Sequence, residues 1–134
     1  MSLDDSIQKA QRSIPECVAI GFVDMKTGML LSAKTVDSHP QEVLDLVAAA
    51  TGELFQGPNV AAIERAFKKI RGVPIDDHHY FQEIVVLSDN LIHVFQRCKR
   101  HTDMVLTVVS RASANLGMVL AKSRSSLPEI EAAV

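Results

Sequence analysis

Four consecutive residues, Asp76-Asp77-His78-His79, are the densest set of metal-binding side-chain types in the chain. Carboxylate and imidazole suit zinc and related ions. Successive residues of an extended backbone point to opposite faces, so four in a row do not converge on one ion. No second cluster at ligand spacing accompanies them, and His39, His93 and His101 are isolated. The run reads as a solvated polar connection. A thiol nucleophile needs an adjacent base and an electropositive, partly exposed setting. Cys17 opens an apolar run and Cys98 closes one, the pattern of packed thiols; Cys98, with Arg97, Lys99 and Arg100 beside it, is the more reactive of the two on that count. The six glycines are scattered, with neither Gly-x-Gly-x-x-Gly nor Gly-Lys-Ser/Thr to cradle phosphate. Two basic groups remain, one at Lys68, Lys69 and Arg71, the other at Arg97, Lys99, Arg100 and His101. They read first as solvated helix and hairpin ends. Second, they read as a docking rim for an acidic partner, with Lys68, Lys69, Arg71, Arg97 and Arg100 as candidates. No nucleophile, base and oxyanion donor assemble, so neither an enzyme nor a bound metal or cofactor is expected.

The elements that position these groups follow from periodicity. Leu3, Ile7, Ala10 and Ile14 fall at helical spacing, with Asp4 and Asp5 in the first turn and Pro15 as the stop. Cys17 to Val23 is a buried strand, Asp24 to Gly28 a turn, and Met29 to Thr35 a second, more exposed strand carrying Lys34. Ser38 and Gln41 resemble a capping box, with Pro40 in the first turn. The helix that follows, to about Phe55, is expected to bury Val43, Leu44, Val47, Ala50 and Leu54, and Ala48 to Gly52 is unusually small-sided. Gln56-Gly57-Pro58-Asn59 breaks it. A second helical stretch, Val60 to Ile70, aligns Val60, Ile63, Phe67 and Ile70 on one face. After a polar connection come strands at Tyr80–Leu87, Leu91–Cys98 and Asp103–Ser110, then a helix over Ala112–Ser123. Residues 125–134, with Pro128, read as a frayed, flexible tail. This α/β order, two strands then three with helices between and at both ends, predicts one five-stranded antiparallel sheet faced by helices.

Length and composition bound the rest. A chain of 134 residues makes one domain, here residues 1–134. Hydrophobic residues are 47% and charged residues 22%, so the chain has a core to bury. Fourteen basic against sixteen acidic residues leave a net charge of −2, with one Tyr and no Trp. Neither the electrostatic footprint nor the stacking platforms of a nucleic-acid binder are present. The apolar runs are too short for a membrane helix, and Met1 to Asp5 lack a secretory pattern. Two distant cysteines fit reduced thiols, so a cytoplasmic protein is expected.

The order of these elements and the residues at their joints resemble the roadblock family of dynein light chains and their bacterial relatives. Val18 to Val23, then Asp24-x-x-Thr27-Gly28 and Met29-Leu30-Leu31, is similar to the family's first hairpin. The Ala-rich helix from Gln41 is similar to its dimer helix. Glu83–Leu87, Leu91–Phe95 and Val105–Val109 match its last three strands, and Ala114–Val119 the start of its final helix. The resemblance covers about residues 5–124. It departs from the pattern at Gly57-Pro58-Asn59, which interrupts a commonly continuous helix, and at the insertion Asp76–His79. It implies a profilin-like fold of α/β/α layers with a long or broken central helix. It also implies a homodimer in which central helices pack side by side and sheets join edge to edge. Val47, Ala48, Ala49 and Gly52 on the helix, and Tyr80, Gln82, Ile84 and Val86 on the strand, are then the interface candidates. The function implied is that of a non-enzymatic scaffold or regulator of a small Ras-like GTPase or a related signalling complex. Two alternatives belong to other classes: a small-molecule sensor with a pocket between sheet and helix, and a metal or thiol enzyme using His78, His79 or Cys98.

Overall fold

A computed structural model of the chain describes residues 2–36 and 41–134, with side chains of the second helix from residue 46 onward. The expected capping box at Ser38 and Gln41, the residues His39 and Pro40, and the burial of Val43 and Leu44 lie outside this description. The elements are α1 (Leu3–Ser13), β1 (Cys17–Asp24), β2 (Met29–Thr35), α2 (Gln41–Gln56), α3 (Pro58–Arg71), β3 (Glu83–Leu87), β4 (Leu91–Arg97), β5 (Met104–Arg111) and α4 (Leu116–Ala132). The strands form one antiparallel sheet in the order β2-β1-β5-β4-β3. The expected five-stranded sheet with helices on both faces is thus present, with β5 central and β2 and β3 at the edges.

Local chemistry explains the joints. Ser2 caps α1 by accepting the Asp5 N–H at 3.1 Å. In the β1–β2 hairpin the Asp24 carboxylate accepts the Lys26 N–H at 3.0 Å, and Gly28 takes a φ of 74°. α2 and α3 are separated at Gly57, whose missing side chain matters. A Cβ there would lie 2.7 Å from the Glu53 carbonyl oxygen. Pro58 then opens α3, where its lack of an N–H costs nothing. The broken form of the central helix is the one observed.

α1 and α4 pack together on one sheet face and α2 lies on the other, against β1 and β2. The main core joins Ile7, Ile14, Phe22, Leu106, Val119 and Ile130 under α1 and α4. Residues 125–134 are not a flexible tail. Eight of them, from Ser125 to Ala132, complete α4, and Leu127, Ile130 and Glu131 are buried. Pro128 removes one helical N–H, and the two buried apolar side chains on either side of it hold the helix on the sheet. Both Glu131 carboxylate oxygens accept the Arg100 N–H at 3.0 Å. β3 is shorter than expected, because Tyr80 and Phe81 bond elsewhere: Glu64 accepts the Tyr80 N–H, and the Phe81 carbonyl accepts from Arg97 at 2.9 Å.

The last ten residues therefore carry part of the core. Truncating Ile130→Ala should lower the unfolding free energy by about 2–4 kcal/mol in urea titration. An unchanged midpoint would mean that the end of α4 is dispensable.

Candidate functional site

α2 and α3 invert the usual distribution of residues. On α2, Ala48, Thr51 and Phe55 are buried, whereas Leu46, Val47 and Leu54 are exposed, Leu46 at 64%. The phase expected from the sequence, with Val47, Ala50 and Leu54 inward, is therefore wrong. The helix is apolar on more than one side, and the sheet takes the side that carries Thr51, whose hydroxyl bonds back to the Val47 carbonyl at 2.8 Å. On α3 the inversion is sharper. Glu64 and Lys68 are buried, while Ile63, Phe67 and Ile70 are exposed, Ile70 at 81%. β3 adds Val85, Val86 and Leu87, the last 65% exposed, and pairs on one side only. A soluble chain seldom leaves this many large apolar side chains uncovered on one helix pair and one strand edge unless a partner covers them.

Buried charges hold these elements in place. The Lys68 ammonium, on a residue 4% exposed, donates to the carbonyls of Asp76 and His78, pairs with the Asp76 carboxylate at 3.0 Å and lies 5.5 Å from the centre of the Tyr80 ring. Glu64 bonds His79 Nδ1 at 2.8 Å and accepts the Tyr80 N–H. The Asp76–His79 segment is thus not merely a solvated connection but the partner of two charges on α3. Arg97 is the second anchor. Its guanidinium donates to the carbonyls of Phe81, Thr102 and Phe55 and to the Gln56 amide oxygen, at 2.7–3.3 Å, and stacks 5.2 Å from the Phe55 ring centre.

These contacts sort the candidates. Lys68 and Arg97, expected on a docking rim, are buried and fully engaged within the chain; Lys69, Arg71 and Arg100 are exposed. Val47 and Ala49 face outward, but Ala48 is buried. Gly52 faces the chain's own hairpin, where an added Cβ would meet Met25 at 3.9 Å. Ile84 and Val86 lie opposite Phe95 and His93 on β4 and so share one sheet face with them. Tyr80 and Gln82 precede the strand; Tyr80 is half-buried, and the exposed Gln82 donates its amide to the His79 carbonyl at 2.6 Å. Among the described residues, no three metal-binding side chains converge. Burial pushes the Cys17 thiol up to about 11 and, with the charge of Glu131, the Cys98 thiol up to about 12. Neither forms an appreciable thiolate near neutral pH. Glu64 is the residue sequence reasoning missed, and the buried role of Lys68 was missed with it. Both stand beside the apolar face of Val60, Ile63, Phe67 and Ile70, among the charges of a helix side that reads as solvated.

The Glu64 carboxylate has a testable pH signature. Burial raises its pKa, but His79, the Tyr80 N–H and Lys68 outweigh this and hold it below the ordinary 4.5. A depressed folded-state value contributes stability above the unfolded value, and that stability is lost as pH falls through the folded one. Glu64→Gln should therefore destabilise the protein by about 1–3 kcal/mol at neutral pH. The gap from wild type should close as pH falls below 4.5, as followed by denaturant titration at a series of pH values.

No protein-family model matches the chain, and no curated protein matches it in sequence. Its fold does match solved structures. The Roadblock/LC7 domain from Streptomyces avermitilis superposes with a TM-score of 0.67 at 14% identity, covering 98% of this chain and 97% of that one. The gliding protein MglB from Thermus thermophilus gives 0.68 at 20%, covering 98% and 90%. Profilin from Schizosaccharomyces pombe gives 0.54 at 9%, covering 98% of each. The chain therefore has the Roadblock/LC7 fold, a profilin-like sandwich of helices around a five-stranded antiparallel sheet.

Proposed function

We propose that this chain is a non-enzymatic, cytoplasmic homodimer that scaffolds or regulates a small Ras-like GTPase or a related signalling complex. The inversion of α3 carries the reading: Glu64 and Lys68 are spent inside the chain and Ile63, Phe67 and Ile70 are left outside. A second copy related by a two-fold axis would cover them. Such a contact is self-complementary and can pair two free β3 edges at once. The likeness of fold to a Roadblock/LC7 domain and to MglB supports the same reading. Lys69, Arg71 and Arg100 keep exposed charges for an acidic partner, whose approach they would accelerate. No helix among the described residues is long and apolar enough to cross a membrane.

Sedimentation velocity at micromolar concentration should give a dimer. Ala49→Glu, which places a charge on the outward side of α2, should convert it to a folded monomer. A monomeric wild type would refute the dimer. The regulatory part is checked by phosphate release from a Ras-like GTPase of the same cell, with and without the chain. Neither binding nor a change in turnover would overturn it.

A further inference from the structure

We propose that the groove between the start of β3, the end of β4 and the second half of α4 binds an organic carboxylate carrying an N–H donor and an apolar side chain. An N-acyl amino acid has this chemistry, and so does the free C-terminal residue of a polypeptide. The groove encloses about 710 Å³, within the roughly 300–1,000 Å³ of organic-ligand sites. One wall is apolar, from Leu127, Pro128 and Ala132 of α4.

Gln96 supplies the specific feature. It lines the groove, is 3% exposed, and its Nε2 donates to Glu83 at 3.2 Å. A carboxylate only accepts, so this bond fixes which end of the amide faces Glu83. Gln96 Oε1 is left buried with no hydrogen-bond partner. A buried acceptor without a donor is costly, and a ligand N–H would satisfy it once a small shift of the side chains that shield Oε1 opens it to the groove. Nearby, Pro128 cannot supply the N–H that would serve the Arg124 carbonyl.

The charges of the groove are unequally satisfied. Glu83 is held by Arg124 through two bonds, at 3.0 and 2.6 Å, and Glu131 by the Arg100 N–H. The side chains of Lys99 and Arg100 are exposed and pair with no carboxylate of the described residues. A ligand carboxylate would find its counter-charge there, with its donor toward Gln96 and its apolar part on Leu127 and Pro128. The groove shares the start of β3 with the proposed strand-edge contact but includes nothing of α2 or α3.

The test titrates N-acetyl-L-leucine into the ¹⁵N-labelled full chain. Saturable shifts are expected at the Gln96 side-chain amide and at the backbone amides of Lys99 and Arg100. N-acetyl-N-methyl-L-leucine, which lacks the N–H, should bind about tenfold more weakly, as should N-acetyl-L-leucinamide, which lacks the carboxylate. Gln96→Met should reproduce the loss, with thermal unfolding confirming that the variant is folded. The ligand-side comparison stands even if it is not. An acetylated tetrapeptide ending in leucine distinguishes the sources: clearly tighter binding than N-acetyl-L-leucine assigns the site to a polypeptide end, equal binding to a small molecule. No saturable shift up to about 10 mM probe, or equal affinity for the N-methylated analogue, overturns the proposal.

Discussion

Arg97 is the interaction on which the arrangement of the functional elements depends. It carries a full charge into the interior with no carboxylate of the described residues paired to it directly, although Glu64 and Asp103 act on it from a distance. Carbonyl and amide oxygens from three segments take its donors: the end of α2, the stretch before β3 and the β4–β5 turn. Burial pulls its pKa below the usual value, the expected cost of removing a cation from water. Guanidinium suits this role because its donors spread in a rigid fork and its face stacks on an aromatic ring, here Phe55. One side chain thereby decides where α2 ends relative to the sheet and where β3 begins.

Glu64 and Lys68 extend the same logic to α3. By capturing Asp76, His78, His79 and Tyr80, they fix the long connection against the helix and turn the helix's apolar side outward. The conflict is physical. A helix with charges on one side and Ile63, Phe67 and Ile70 on another cannot satisfy both in a small single-layer contact. Here Glu64 and Lys68 find intramolecular partners and the apolar groups are left exposed. The exposed apolar surface is thereby held in shape by buried polar bonds within the chain.

Much of the fold was legible from periodicity. The alternation in β4, the apolar runs of β1 and β5, the Asp-Gly hairpin and the Gly-Pro break each reflect a local rule acting on neighbouring residues. The errors share a cause. α2 is apolar around more than half its circumference, so periodicity could not choose its inner face, and the sheet selected Ala48, Thr51 and Phe55. Pro128 and the small polar residues near it read as a terminus, yet Leu127 and Ile130 anchor the helix in a core shared with α1, at the opposite end of the chain. Lys68 and Arg97 read as solvated charges because nothing adjacent to them announces a partner.

By itself, then, the sequence determined the number, type and order of the elements, the class of the sheet and the small-sided character of α2. Those follow from interactions between residues a few positions apart. Which charges are buried, which face of α2 and α3 is left open, and how Gln96, Arg124 and Glu131 meet across a groove were decided only by tertiary structure. Each of those outcomes rests on contacts between distant segments, where a carbonyl or a carboxylate outcompetes water for a charged group only once the fold has brought it there.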